Sequence, residues 1–347
     1  MRAIYRWIIV CALAFPCVAA LASEPYQFLN EIPIGGEGGW DIVTIDSAAN
    51  RLYLAHATKV AVVDLNKNTV VGEIADTPGV HAFVPVPEAK RGFSSNGKEN
   101  KSSVVDLETL KTISKIDTGE SPDAIVYAPR HRAVYVFNHK GNSANVIDAA
   151  TTEPQTVVSL FGSPEFAVVD DKTDRIYCNI EDKNEVAVID PVKREVVAHW
   201  PVAPGEEPGG IALDAAHHRL FASCHKKMMV MLDTETGKVV TTVPIGAGAD
   251  GCAFDDATQL VFASCGEGTV TIAKEETPQK LTVVQTLKTE RGARTMVLDP
   301  KTHRIYLPTA QFGPPPSPSP GAAPGRPTIV PNSLKILVYG PAETAKP

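Results

Sequence analysis

Cysteine is scarce in this 347-residue chain, six in all, and two of them, Cys11 and Cys17, fall in an N-terminal apolar run. The remaining four, Cys178, Cys224, Cys252 and Cys265, are far too few to build a disulfide scaffold. Positive charge is short as well: 33 Lys and Arg stand against 40 Asp and Glu, a formal net charge of −7. A field of that sign disfavours a general nucleic-acid surface, which needs positive charge over the phosphates. Past the first 22 residues no hydrophobic run is long enough to span a bilayer. No helical period lies between the apolar segments, which excludes TIM-barrel units. Nucleophile elbows, zincin helices, phosphate loops, cofactor-binding helix starts and short histidine-rich metal motifs are all missing. Any site must therefore be assembled from residues far apart in the chain.

The N-terminal run is read as a signal peptide over residues 1–22. Arg2 and Arg6 precede apolar Trp7 to Leu21, and Ala20-Leu-Ala22 offers small residues at the two positions a signal peptidase reads. The run is too short and too poorly flanked for a comfortable membrane span. Export to the periplasm or the medium follows, with a mature chain over residues 23–347. Losing Arg2 and Arg6 leaves 31 basic against 40 acidic side chains, a formal charge of −9.

What the chain does have is a repeat. Short apolar-alternating segments recur, as in Asp123-Ala-Ile-Val-Tyr, Arg132-Ala-Val-Tyr-Val-Phe and Ser143-Ala-Asn-Val-Ile-Asp148. Each unit opens on a comparable position: Asp41, His81, Asp123, Glu165, Gly209, Asp250 and Arg294, at spacings of 40, 42, 42, 44, 41 and 44 residues. Seven starts at a nearly fixed period indicate radial repetition. Within a unit the period is two, that of strands, with turn residues between them. The last unit lacks a fourth strand, and Tyr26 to Gly35 resembles one. The expectation is an all-β, seven-bladed β-propeller of four-stranded antiparallel blades, closed by the N-terminal strand completing the last blade. A proline-rich loop, residues 312–331, is inserted in that last blade. Its prolines favour extended, semi-rigid backbone.

The unit resembles the YncE-like, or YVTN-repeat, family of exported bacterial β-propellers. The residues that carry the likeness are Ser121-Pro-Asp-Ala-Ile, Ser163-Pro-Glu-Phe-Ala, Arg175-Ile-Tyr, Arg304-Ile-Tyr and Val186-Ala-Val-Ile-Asp190. The second unit departs from the pattern at Val80-His-Ala-Phe-Val and Gly92-Phe-Ser-Ser-Asn96. The resemblance implies a fold and hardly an activity, because propellers host many functions.

In a propeller the first-strand starts and second-strand ends open on one face. That mouth should collect Asp41, His81, Asp123, Glu165, Asp250 and Arg294 with His56, Asn96, Asn138, His139, Glu181, Asp182, His225, Glu267 and Gln311. The ligand-binding candidates are His56, His81, Asn96, Asp123, His139, Glu165, Glu181, His225, Asp250 and Arg294. Carboxylates with Asn suit calcium or magnesium, and histidines suit zinc, copper or iron. A divalent ion would take Asn96, Asp123, Glu165 and Asp250, a ring like that of propeller lactonases. His81 and Arg294 break the acidic series with only Asp41 between them, so a small anion could bridge them. The same carboxylates could instead bind backbone amides and hold blades together. His131, His217, His218 and His303 fall in turns on the opposite face and read as surface.

Three readings remain open for the cysteines: a Cys252–Cys265 disulfide first, Cys224–Cys265 second, buried free thiols third. For function, the leading reading is a monomeric, exported propeller that binds a small anion, a metal or a periplasmic protein. The alternative is a metal-dependent, lactonase-like hydrolase using the funnel carboxylates. The sequence leaves open whether the protein is an enzyme. A tryptophan-docked quinoprotein is not matched by Trp40 and Trp200 alone, and single-stranded DNA would want an aromatic, basic platform.

Overall fold

The structure, a computed structural model, describes residues 25–314 and 327–342. The leader read over residues 1–22 and the middle of the proline-rich loop lie outside these residues. Regular structure among them is strand, apart from three single-turn helices, Pro87–Ala89, Pro129–His131 and Glu181–Lys183. No described helix is long and apolar enough to cross a membrane.

The strands form seven four-stranded antiparallel sheets, the expected propeller. From the axis outward, blade I consists of Trp40–Asp46, Arg51–His56, Lys59–Asp64 and Thr69–Ile74. Blades II to VI repeat that order. Blade VII joins the chain ends: Val297–Asp299, Arg304–Thr309, Lys335–Pro341 and, outermost, Tyr26–Pro33. The N-terminal strand runs antiparallel to the last one, from Tyr26 opposite Pro341 to Pro33 opposite Lys335. Closure gives blade VII the same four strands as the other blades, so the third strand is not left as an open edge. Tyr26 fixes it: its hydroxyl donates to the His303 carbonyl at 2.5 Å, and its amide donates to Gln285 of blade VI at 2.9 Å. Its ring meets Phe262 edge-on at 4.9 Å.

The core lies between the blades. The third residue of every second strand is aromatic, namely Tyr53, Phe93, Tyr135, Tyr177, Phe221, Phe262 and Tyr306, and all seven are buried. Each such side chain contributes roughly 2–3 kcal/mol of burial. In blades I and IV to VII the first strand ends on a turn-closing aspartate. Asp170, Asp214 and Asp299 each accept backbone amides two or three residues ahead, the Asx geometry that makes Asp a turn residue.

The expected Cys252–Cys265 disulfide is not formed; all four described thiols are free. Within blade VI, Cys252 stands opposite Ala263 and Cys265 opposite Ala249, so the two do not face each other. Burial pushes the Cys224 and Cys265 thiols up to about 12 and about 11, which leaves them inert at neutral pH. The insertion leaves blade VII as a short ladder: Phe312 bridges Ile329, and the Gly313 amide donates to the Thr328 carbonyl at 2.8 Å.

Candidate functional site

One local device builds the site. At the start of the first strand, the pairing with the second strand shifts register in blades I to VI. The shift falls at Asp41, His81, Asp123, Glu165, Gly209 and Asp250, the positions that open each repeat. A β-bulge leaves its extra residue out of the ladder and re-aims it. These side chains thus converge on the axis at one mouth. In blade VII the strand begins only at Val297, and Arg294 reaches the mouth from irregular chain.

The convergent groups form a chain of ion contacts from Glu181 round to Asp123, with His139 and Glu165 as a separate pair beside it. Arg294 donates to Asp250 at 2.5 Å and to Asp41 at 3.1 Å. His81 Nδ1 lies 2.6 Å from Asp41 and 3.7 Å from Asp123. His139 Nδ1 lies 2.9 Å from Glu165. His225 stands 3.4 Å from Glu181 and 3.8 Å from Asp250. A cavity of about 380 Å³ opens above them, lined by Asp41, His81, Asp123, Glu165, His225, Asp250 and Arg294 among others. Gly209 interrupts the acidic series for a steric reason: a Cβ there would come within 2.9 Å of the His225 ring. His225 supplies the mouth group of blade V instead. Gly97 likewise clears space for His81.

The mouth is short of positive charge. Five carboxylates (Asp41, Asp123, Glu165, Glu181 and Asp250) face one guanidinium and three imidazoles. Burial pushes Asp123 up to about 7, with Asp41 and Glu165 adding to the rise against the opposing pull of His81. Burial and then Glu165 raise Glu181. Burial also acts to raise Asp250, but His225 and Arg294 outweigh it and hold that carboxyl below its ordinary value. Burial would depress His81, yet the Asp41 contact and the Asp123 charge leave it raised. Asp250 and then Glu181 raise His225.

Two of the ligand-binding candidates expected at the mouth, and four other residues expected there, are elsewhere. His56 and Asn96 are the last residues of their second strands, paired opposite Trp40 and Val80, and both are buried. Asn96 spends its side chain inside blade II, accepting from Ser94 at 2.7 Å and donating to Ser103 at 2.9 Å and Glu99 at 2.8 Å. Burial, with Lys59 adding, lowers the His56 pKa. His139, Glu181 and His225 sit one residue later and face the mouth. Adjacent strand residues point to opposite sides, so that one-residue difference decides the matter. Asn138 is buried with its amide bonded to Ser143 and Asn145, while Asp182, Glu267 and Gln311 are exposed outside this cavity.

At the mouth, two groups have ligand atoms close enough for one ion: Asp41, His81 and Asp123, and Asp123, His139 and Glu165, each within 4.8 Å. They share Asp123. The place expected for a bridging anion, between His81 and Arg294, is filled by Asp41 itself. A second cavity of about 410 Å³ adjoins the first through Arg294 and is walled by Trp40, Phe312, Pro327 and Ile329. The Trp40 and Phe312 rings lie 6.0 Å apart, and the Arg291 guanidinium sits 5.6 Å from the Phe312 centroid.

Comparison with known proteins supports the architecture. No family model and no curated protein matches the chain. A chain of Kuenenia stuttgartiensis hydrazine synthase shares the fold with a TM-score of 0.69 at 18% identity, over 78% of this chain and 92% of that one. A chain of the mitotic checkpoint complex does so with a TM-score of 0.72 at 12% identity, over 96% and 99%. At these identities the likeness is one of fold alone.

Proposed function

We propose that this propeller is a divalent-metal-dependent hydrolase acting on a lactone or similar small ester at its mouth. One observation carries the reading: a partly buried carboxyl, Asp123, is shared by two His–carboxylate triads in a ring with more acid than base. Asp41 is already neutralised by Arg294, so the triad with uncompensated charge is Asp123, His139 and Glu165. These three would hold the ion, replacing the ligand set of Asn96, Asp123, Glu165 and Asp250 expected from the sequence. Two carboxylates and an imidazole are a donor set that first-row divalent metals accept. A bound ion supplies Lewis acidity and an acidified water.

The remaining groups have roles beside it. His81, oriented by Asp41, would take the proton as water adds to the ester carbonyl. It would return that proton to the ring oxygen when the C–O bond breaks. The Trp40–Phe312 cavity would seat the apolar part of the substrate. The leader over residues 1–22 would place this chemistry in the periplasm or outside the cell. A second reading, a propeller that binds without turnover, draws on the same aromatic cavity.

The test is proton release from a panel of γ- and δ-lactones, with chelated protein and after adding Ca²⁺, Mn²⁺ or Zn²⁺. Turnover should vanish on chelation, return with one cation, and fall at least ~100-fold in Asp123→Asn. Buffer-rate hydrolysis with every cation, together with no ion uptake in calorimetry, would remove the enzyme reading. Lactone binding without product would select the second.

A further inference from the structure

Blades I to V end their third strand on an aspartate, and the next residue is Leu65, Leu107, Ala149, Pro191 or Thr234. In blade VI that slot holds Glu275. The alignment is structural: the amides of Leu65, Leu107, Ala149 and Thr234 donate to the turn joining the first two strands, and Glu275 donates to Gln259 in the same way at 2.9 Å. Here the strand runs on instead of turning, as Thr269–Thr277 against Lys280–Lys288. A carboxylate therefore occupies a place built for an apolar side chain, with 4% of its surface exposed.

Neither Glu275 oxygen has a hydrogen-bond donor among the described residues. The group beside it is Asp214 of blade V, itself fully buried. Asp214 Oδ1 accepts the amides of Ala216 and His217, and Oδ2 lies 2.5 Å from His217 Nδ1. In blades IV, VI and VII the matching Oδ2 is held by a threonine hydroxyl, of Thr173, Thr258 and Thr302. His217 stands where those threonines do. Two separate departures from the repeat, one in blade V and one in blade VI, thus meet at one point. A ligand atom from each of Asp214, His217 and Glu275 falls within 4.8 Å of the others.

Two buried carboxylates side by side are costly unless they share a proton or a cation. Burial and then Asp214 raise Glu275 to about 7, so near neutral pH a cation can take the proton's place. The nearby fixed charges do not supply one. Arg219 is engaged by Asp233 at 2.6 Å and His303 by Asp255 at 2.8 Å, while Asp256 adds a further negative group. An imidazole with two carboxylates is a donor set for zinc and its first-row neighbours.

We propose that Asp214, His217 and Glu275 bind a divalent first-row cation that clamps blade V to blade VI. The site lies at the far end of the first strands from the mouth, so it is structural and independent of the funnel.

The experiment titrates Zn²⁺ into chelated protein by calorimetry and follows the thermal midpoint. It compares wild type, Asp123→Asn and Glu275→Leu, the last carrying the residue that blades I and II have in this slot. Glu275→Leu should fold, lose one binding event or weaken it at least ~100-fold, and lose the associated rise in midpoint. Asp123→Asn should keep both. Equal Zn²⁺ stoichiometry and an equal rise in wild type and Glu275→Leu would overturn the proposal, as would an Asp123→Asn chain that binds no Zn²⁺. Each variant reports on its own site, so failure of the funnel reading leaves the clamp to be judged separately.

Discussion

His139 holds its Nδ1 2.9 Å from Oε1 of Glu165, and the contact ties the second strand of blade III to the bulge of blade IV. Glu165, with the Asp123 charge and the Pro164 carbonyl adding, lifts the imidazole from 6.5 to about 9 against the opposing effect of burial. Charged imidazole therefore supplies part of the positive charge that the mouth lacks. A folded-state value above the ordinary one means that the pair stabilises fully below pH 6.5 and loses its contribution as pH rises through about 9.

In chelated protein, His139→Gln should then cost on the order of 1 kcal/mol at about pH 6, allowing for solvent screening, and nothing measurable near pH 10. Urea unfolding at several pH values reads this directly. A cost that stays constant across the range would mean that His139 acts by packing rather than charge.

Arg294 competes with any cation at the mouth. Among the described residues it is the one Lys or Arg side chain lining that cavity, and it pairs with both Asp41 and Asp250. Arg294→Gln should tighten Mn²⁺ binding about tenfold, the order of effect of removing one nearby like charge at intermediate dielectric. It should also lower the thermal midpoint, because two partly buried carboxylates lose their partner. Calorimetry and a melting curve separate the two effects. Weaker Mn²⁺ binding would instead mean that Arg294 organises the ligands.

Much of this was legible in the sequence. The period, the strand alternation and the missing fourth strand of the last unit gave seven blades and their closure, because strand pattern and turn chemistry are local. The ring positions Asp41, His81, Asp123, Glu165, Asp250 and Arg294 were legible for the same reason. What was not legible depends on one-residue parity. His56 and Asn96 close their strands and turn inward, whereas His139, Glu181 and His225 follow theirs and turn to the mouth; the bulge that sets this register leaves no mark in composition. Glu275 escaped notice because its partner lies in another blade, 61 positions from Asp214. Its signal was a carboxylate in a slot that is apolar in the first blades.

Blade II departs from the repeat by a compensated exchange. The second residue of the second strand is Leu52, Val134, Ile176, Leu220, Val261 or Ile305 elsewhere, and Gly92 here. A Cβ on Gly92 would overlap the Phe83 ring, which packs tilted by 33° against Tyr53 of the facing blade, centroids 4.8 Å apart. Phe83 thus fills the volume that the glycine vacates. Gly92→Val alone should destabilise by several kcal/mol through overpacking, and Phe83→Val alone by about 2 kcal/mol through a cavity. The double variant restores the arrangement of the other blades and should cost less than the sum, with a coupling of at least ~2 kcal/mol in urea unfolding. Simple additivity would show that blade II is irregular for a reason other than this large-for-small exchange.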